Sequence, residues 1–120
     1  MKPTIGHTEF GSITVEGESF DHDIVIRLDG QVKKRKKKLS KDIYGTSHIL
    51  SLPEAEAIFE PGAQYVIVGS GQSGVLRLSD EALAFFRSKH CQVQIFPTPK
   101  AIQHWNETKG ARIGVFHVTC

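Results

Sequence analysis

The chain has 120 residues, 39% of them hydrophobic, with fifteen Lys and Arg against thirteen Asp and Glu for a formal net charge of +2. That length makes one domain, residues 1–120, which buries about two thirds of its surface and needs no staple to hold its core. No apolar run nears the roughly 20 residues of a membrane helix, and the start, Met1-Lys2-Pro3-Thr4-Ile5, lacks the apolar stretch of a signal peptide.

Cysteine usage points the same way. Only Cys91 and Cys120 are present, and with no export signal the expected setting is a reducing cytoplasm, with thiols favoured over a disulfide. The charge is uneven: seven of the fifteen basic residues fall between Lys33 and Lys41, so the remainder holds eight basic against thirteen acidic residues, or −5.

In chain order, Ser12-Ile13-Thr14-Val15-Glu16 alternates as a half-buried strand does, with Gly17-Glu18 as a turn. Ile24, Ile26 and Leu28 then share one strand face, with Val25 and Arg27 on the other. Asp29-Gly30 is a strong hairpin signal and returns the chain into Gln31-Val32 and the block Lys33 to Lys38. The first third therefore predicts an antiparallel meander. Extended, the block puts cations on both faces, so its tip is expected outside the core, as a charged edge that resists pairing.

Three readings of the block compete: a solvated edge, a nucleic-acid or anionic-surface patch, and a targeting signal. No aromatic residue interleaves it to stack bases, and the acidic remainder repels a phosphate backbone. The solvated edge is preferred, and nucleic acid is not an expected partner.

Leu39 to His48 is polar and reads as a turn region. Ser51 opens a helix with Glu54 three residues on, a capping box worth about 1 kcal/mol; Ala55, Ile58 and Phe59 form its inner stripe, and Pro61-Gly62 ends it. Tyr65-Val66-Ile67-Val68 suits a strand buried on both faces, and Gly69-Ser70-Gly71-Gln72-Ser73-Gly74 follows at its carboxyl end. Val75 to Leu78 is too short to assign. Ser79 caps a helix with Asp80 and Glu81 at its positive end and Arg87, Lys89 and His90 at its negative end; Leu83 and Phe86 face inward. Gln92 to Phe96 is a strand. Thr98 as N-cap with Pro99 starts a last helix with Ala101, Ile102 and Trp105 inward and Gly110 as C-cap, and Ala111 to Val118 is a final strand. The fold expected is α/β: a single domain with a mixed sheet, a Rossmann-like βαβαβ C-terminal half with parallel neighbours, and an antiparallel β-rich N-terminal half.

Ligands in such sheets sit past the carboxyl ends of strands, which singles out Gly69, Gly71, Gln72, Ser73 and Gly74 as the ligand-binding candidates. The glycines match G-x-G-x-x-G, but a dinucleotide site needs the helix to open inside the motif. Here the capped helix begins only at Ser79, and the next strand ends in Phe96-Pro97-Thr98 with no acid for a ribose. No Lys follows for a P-loop, and Ser73 lacks a nucleophile elbow. A turn shaped for close packing is preferred, with a small anion on its N–H groups left open.

His22, His48, His117 and Cys120 form a second constellation whose residue types suit zinc, iron or an activated thiolate. Along a strand, His117 and Cys120 point to opposite faces, and scattered histidines are commonly satisfied by local hydrogen bonds. No metal and no cofactor are therefore assigned; His48, His117 and Cys120 stand as weak catalytic candidates.

Phe20-Asp21-His22-Asp23-Ile24-Val25-Ile26, Tyr44-Gly45-Thr46-Ser47-His48, Gly69 to Gly74 and Phe116-His117-Val118-Thr119-Cys120 together resemble a small domain family over almost the whole chain. It is the family of a methanogen protein of unknown function, shared with the adipogenesis-associated domain protein of animals and, distantly, a mitochondrial complex I assembly factor. The resemblance implies a single-domain α/β fold with a β-rich appendage, no established catalytic residue or cofactor, and regulatory or assembly roles that suggest a protein partner. The Lys33–Lys38 block looks like a prokaryotic-type feature, so animal partners do not carry over. The function expected is a small cytoplasmic binding or assembly-type domain; the alternative is an enzyme or anionic-ligand binder at the Gly69–Gly74 turn with nearby His or Cys.

Overall fold

A computed structural model describes residues 2–120. The first half runs β1 (Ile5–Glu9), β2 (Ser12–Val15), β3 (Glu18–Phe20), β4 (Ile24–Ile26), β5 (Val32–Lys34), α1 (Lys38–Tyr44), β6 (Ile49–Leu50) and α2 (Leu52–Ile58). The second half runs β7 (Tyr65–Ser70), β8 (Arg77–Leu78), α3 (Asp80–Ser88), β9 (Gln92–Phe96), α4 (Thr98–Glu107) and β10 (Arg112–His117).

The main sheet has five strands in the order β5-β4-β10-β7-β9. β7 runs parallel to both β9 and β10, while β4 is antiparallel to β10 and to β5. This is the mixed sheet expected, with its βαβαβ half. The antiparallel N-terminal half divides in two: β1-β2-β3 forms a separate three-stranded sheet, and the hairpin turned by Asp29-Gly30 joins β4-β5 to the main sheet. β6 and β8 make a short parallel pair.

Alternation along the strands builds two cores. On one face Val66, Val68, Ile113, Val115 and Val25 meet Ala55 and Ile58 of α2 and Ala82 and Phe86 of α3. On the other, Ile67, Phe116, Ile24 and Ile26 meet Ala101 and Trp105 of α4 and Ile5, Ile13 and Val15 of the small sheet. Burying one such side chain contributes about 1.5–3 kcal/mol, and fully buried Trp105 also donates its Nε1–H to the Pro3 carbonyl at 2.8 Å. The crossover β7–α3–β9 thus covers one face and β9–α4–β10 the other, as right-handed connections running in opposite directions require.

Four local expectations are corrected. Residues 38–44 are helical: α1 has no side-chain N-cap and ends at Gly45 in the left-handed conformation (φ 72°). Ser51 Oγ does accept from the Glu54 N–H at 3.3 Å, but Glu54 does not reach back; its carboxylate binds Arg35 and Ser40. Pro97 rather than Thr98 is the N-cap of α4, and its C-cap is Thr108, not Gly110. Arg35, inside the basic block, is buried.

Candidate functional site

The carboxyl ends of the parallel neighbours β7 and β10, Ser70 and His117, lie side by side, and a crevice is expected beyond them. The chain itself fills it. After Ser70, Gly71 takes a left-handed φ of 103°, and a Cβ there would lie 2.2 Å from the Cys120 backbone carbon and 2.8 Å from the His117 ring. Glycine is required at 71 on both counts. The N–H groups of Gln72, Ser73 and Val75 donate to the carbonyls of Thr119 (2.7 Å), Cys120 (3.1 Å) and Cys120 (3.2 Å). Gly74 N–H donates to the Gly71 carbonyl, and Gly71 N–H to Thr98 Oγ1 at 2.9 Å. The Thr98 hydroxyl in turn donates to the His117 carbonyl at 2.6 Å, locking the ends of the two strands together. An anion at this turn would have to displace residues 119–120.

Behind the filled crevice lies a buried charge network. The Arg35 guanidinium donates to both Glu54 oxygens (2.5 and 3.0 Å), to Asp23 Oδ2 (2.9 Å) and to the Ser47 carbonyl (2.8 Å). Ser40 Oγ donates to Glu54 at 2.5 Å and accepts from the Ser51 N–H. Asp23 Oδ1 accepts from the Val118 N–H at 2.9 Å, and Oδ2 lies 2.7 Å from His117 Nδ1. None of Asp23, Arg35, Ser40, Ser51, Glu54 and His117 is more than 2% exposed. Burial alone would raise the Asp23 carboxyl, but hydrogen bonds from His117 and Val118, the charge of His117 and the hydrogen bond from Arg35 together hold it down at about 2. Burial works against the Arg35 charge as well, and Glu54 and Asp23 overcome it, raising its pKa. Every partner is satisfied, so the network ties the start of β4, the end of β5, α1, α2 and the end of β10 into one unit.

The crevice brings together several of the residues singled out in the sequence. His48 lies edge-on to His117 at 5.3 Å between ring centroids, and His117 adjoins Gly71, which in turn touches Cys120. Gln72 anchors the turn to the small sheet through Nε2, at 3.0 Å from Thr8 Oγ1 and 3.2 Å from the Glu9 carbonyl. Gly69 is a strand residue, packed on Thr98 and Phe116. His22 is separate, edge-on to Phe20 with Nδ1 3.0 Å from the Asp23 carbonyl. Chemically, Asp23 orients the His117 ring and leaves Nε2 to the Thr119 hydroxyl at 3.2 Å. In such an arrangement the imidazole can act as a general base toward the hydroxyl, but here it is 1% exposed. Among the described residues no three His, Cys, Asp or Glu side chains converge as a metal would need.

Sequence reading missed Arg35, Asp23, Glu54 and Ser40. The one available signal was a single Arg within a run of lysines, since Arg's planar fork suits a buried bidentate pair.

Two clefts open elsewhere on the main sheet. A groove of about 590 Å³ runs between α3 and β9, lined by Leu83, Arg87, His90, Cys91, Val93 and Ile95 among others. A second cleft, of about 350 Å³, lies between β4–β5 and α2. Among the described residues no helix is long and apolar enough to cross a membrane.

Fold and site together define a mixed-sheet α/β domain whose crevice at the ends of β7 and β10 is closed from within over a buried Asp–Arg–Glu–His network. The chain belongs to the family described as protein of unknown function (DUF498/DUF598), whose model matches residues 5–116. It is similar to the conserved hypothetical protein PH1505 from Pyrococcus horikoshii OT3, at 34% identity and a TM-score of 0.91 over 98% of this chain and 99% of that one. It is similar also to a protein designated MT938, at 34% identity and a TM-score of 0.85 over 99% of this chain and 100% of that one. A Bordetella pertussis protein described as a Mth938-like domain shares the fold at 17% identity and a TM-score of 0.62, over 97% of this chain and 85% of that one.

Proposed function

We propose that this chain is a cytoplasmic binding domain that takes up an extended segment of a partner protein along the open edge of β9 and performs no chemistry of its own. One observation carries the reading: β9 is an outermost strand, and among the described residues nothing is paired to its far side. Gln92 N–H donates inward to the Gln64 carbonyl, so by alternation the N–H and C=O groups of Val93 and Ile95 point outward. Strand addition uses such a row for affinity, with flanking pockets for side-chain specificity. The adjoining groove supplies the pocket: Leu83, Val93 and Ile95 are apolar, and Ile95 is 41% exposed. Arg87 and His90 at its rim favour a segment carrying a carboxylate beside its apolar residue. The saturated crevice and network support a non-catalytic role, and the two free thiols support the cytoplasmic setting.

The test is a photocrosslinking amino acid at Val93, in the native host. The expected product is an adduct with one recurring protein, captured through an extended segment and lost when Ile95→Pro removes an outward N–H. Adducts with a second copy of this chain, or none above those from a crosslinker at Glu107, would count against the proposal.

A further inference from the structure

We propose that the cleft between β4–β5 and α2 is a binding site for a small amphiphilic anion, an organic phosphate, carboxylate or sulfonate with an apolar body. Its volume of about 350 Å³ lies within the range of small-molecule sites. Val25, Ala57 and Ile58 supply an apolar floor, and Arg27, Lys33, Lys34 and Lys36 supply the polar lining. Cross-strand register sets Lys33 opposite Val25, so this lysine shares the face that looks onto α2.

The charge balance of the lining decides the ligand's sign. Arg27 is paired with Glu60 at 3.2 Å. The lining carboxylate, Glu54, is neutralised by Arg35 from behind and hydrogen-bonded by Ser40. Among the described residues Lys33, Lys34 and Lys36 make no ion pair; the pairs in this part of the chain go to Arg35, Lys37 and Lys38 instead. Three lysines with no ion-pair partner among the described residues therefore line a cleft with an apolar floor. A bare ion would satisfy only the rim, and a neutral apolar molecule only the floor; an anion with an apolar body meets both. The buried network stiffens this site, because Arg35 and Glu54 fix the neighbouring strand and helix to each other. The site lies at the β5 edge of the sheet, opposite β9, so it stands apart from the docking reading above.

Titration of the full chain with phenyl phosphate, followed by amide chemical shifts, tests the assignment. The expected result is saturable shifts confined to residues around Val25, Lys33–Lys36 and Ala57–Ile58, with inorganic phosphate about tenfold weaker because it cannot use the floor. Lys33→Gln/Lys34→Gln/Lys36→Gln should weaken binding by about tenfold or more and flatten its salt dependence. Ala57→Trp, at an exposed helix position, should abolish it by filling the hollow, and native-like spectra of both variants exclude unfolding as the cause. Equal binding of the two phosphates, shifts centred on the β9 groove, or no response to either variant would overturn the proposal. So would cosedimentation with phosphatidylglycerol vesicles in the absence of any phenyl phosphate shift, which would assign the lysines to a membrane surface.

Discussion

The two edges of the main sheet are built to opposite rules. β5 is three residues long, carries Lys33 and Lys34, and is followed at once by Arg35, which turns inward and is clamped by two carboxylates. β9 is five residues long, carries no charge, and shows Ile95 to solvent. Lysines and short length are standard means of keeping an edge strand from pairing with another chain, and β5 has both while β9 has neither. The difference teaches that edge protection in this sheet is selective: the guarded side is also the anchored side, and the unguarded side is the one left free to accept a strand.

The largest effect should come from cutting the anchor. Arg35→Ala leaves Asp23 and Glu54 buried without their cation and should cost about 3–5 kcal/mol in urea unfolding; a loss below about 1 kcal/mol would mean that β5 is not held through this network. Acid should loosen the same edge. Asp23 titrates at about 2 in the folded protein against an ordinary 3.8. A depressed carboxyl contributes its stabilisation above the unfolded value and loses it as pH falls through the folded one. Stability should therefore drop by about 2 kcal/mol between about pH 4 and pH 2, and Asp23→Asn should remove that part of the profile; an unchanged slope in the variant would assign the acid sensitivity to other groups. The smallest effect on stability and the sharpest on the comparison come from exchanging the guards. Lys33→Thr/Lys34→Val and Ile95→Lys should each change stability by no more than about 0.5 kcal/mol. The readouts should nevertheless part: self-association measured by light scattering should rise for the unguarded β5, while the guarded β9 should leave light scattering unchanged and lose the partner adduct formed from Val93.

Elements that carry their own signal were legible in the sequence. β7 and β9 stand as apolar or alternating runs bounded by turn residues, α2 and α3 carry serine caps that do accept from Glu54 and Ala82 N–H groups, and the Asp29-Gly30 hairpin forms where expected. α1 was hidden because its stability is borrowed: it has no side-chain cap, and its one buried residue, Ser40, is held by Glu54 and Ser51 of a later segment. The network was hidden by distance along the chain, since Asp23 meets Arg35 twelve residues on and His117 ninety-four residues on. Local composition around Arg35 describes a solvated run, and only tertiary partners reverse that. At the crevice, the glycines marked a turn and a close approach, but what approaches Gly71 is the backbone at Cys120, far along the chain and with no motif of its own.

The strand order has a consequence for how the protein is made. β10, the last strand in sequence, sits in the middle of the sheet, with β4–β5 on one side and β7–β9 on the other. Those two pairs have no hydrogen-bonded contact with each other until β10 slots between them. During synthesis the β4–β5 half therefore waits with an exposed inner edge, the β7–β9 half joins that wait only once Phe96 has emerged, and the carboxylate of Asp23 still lacks His117 and the Val118 amide. The final insertion joins sheet, crevice and network in a single non-local step, which makes folding slow relative to local helix formation and makes the incomplete chain the stage most exposed to misassembly.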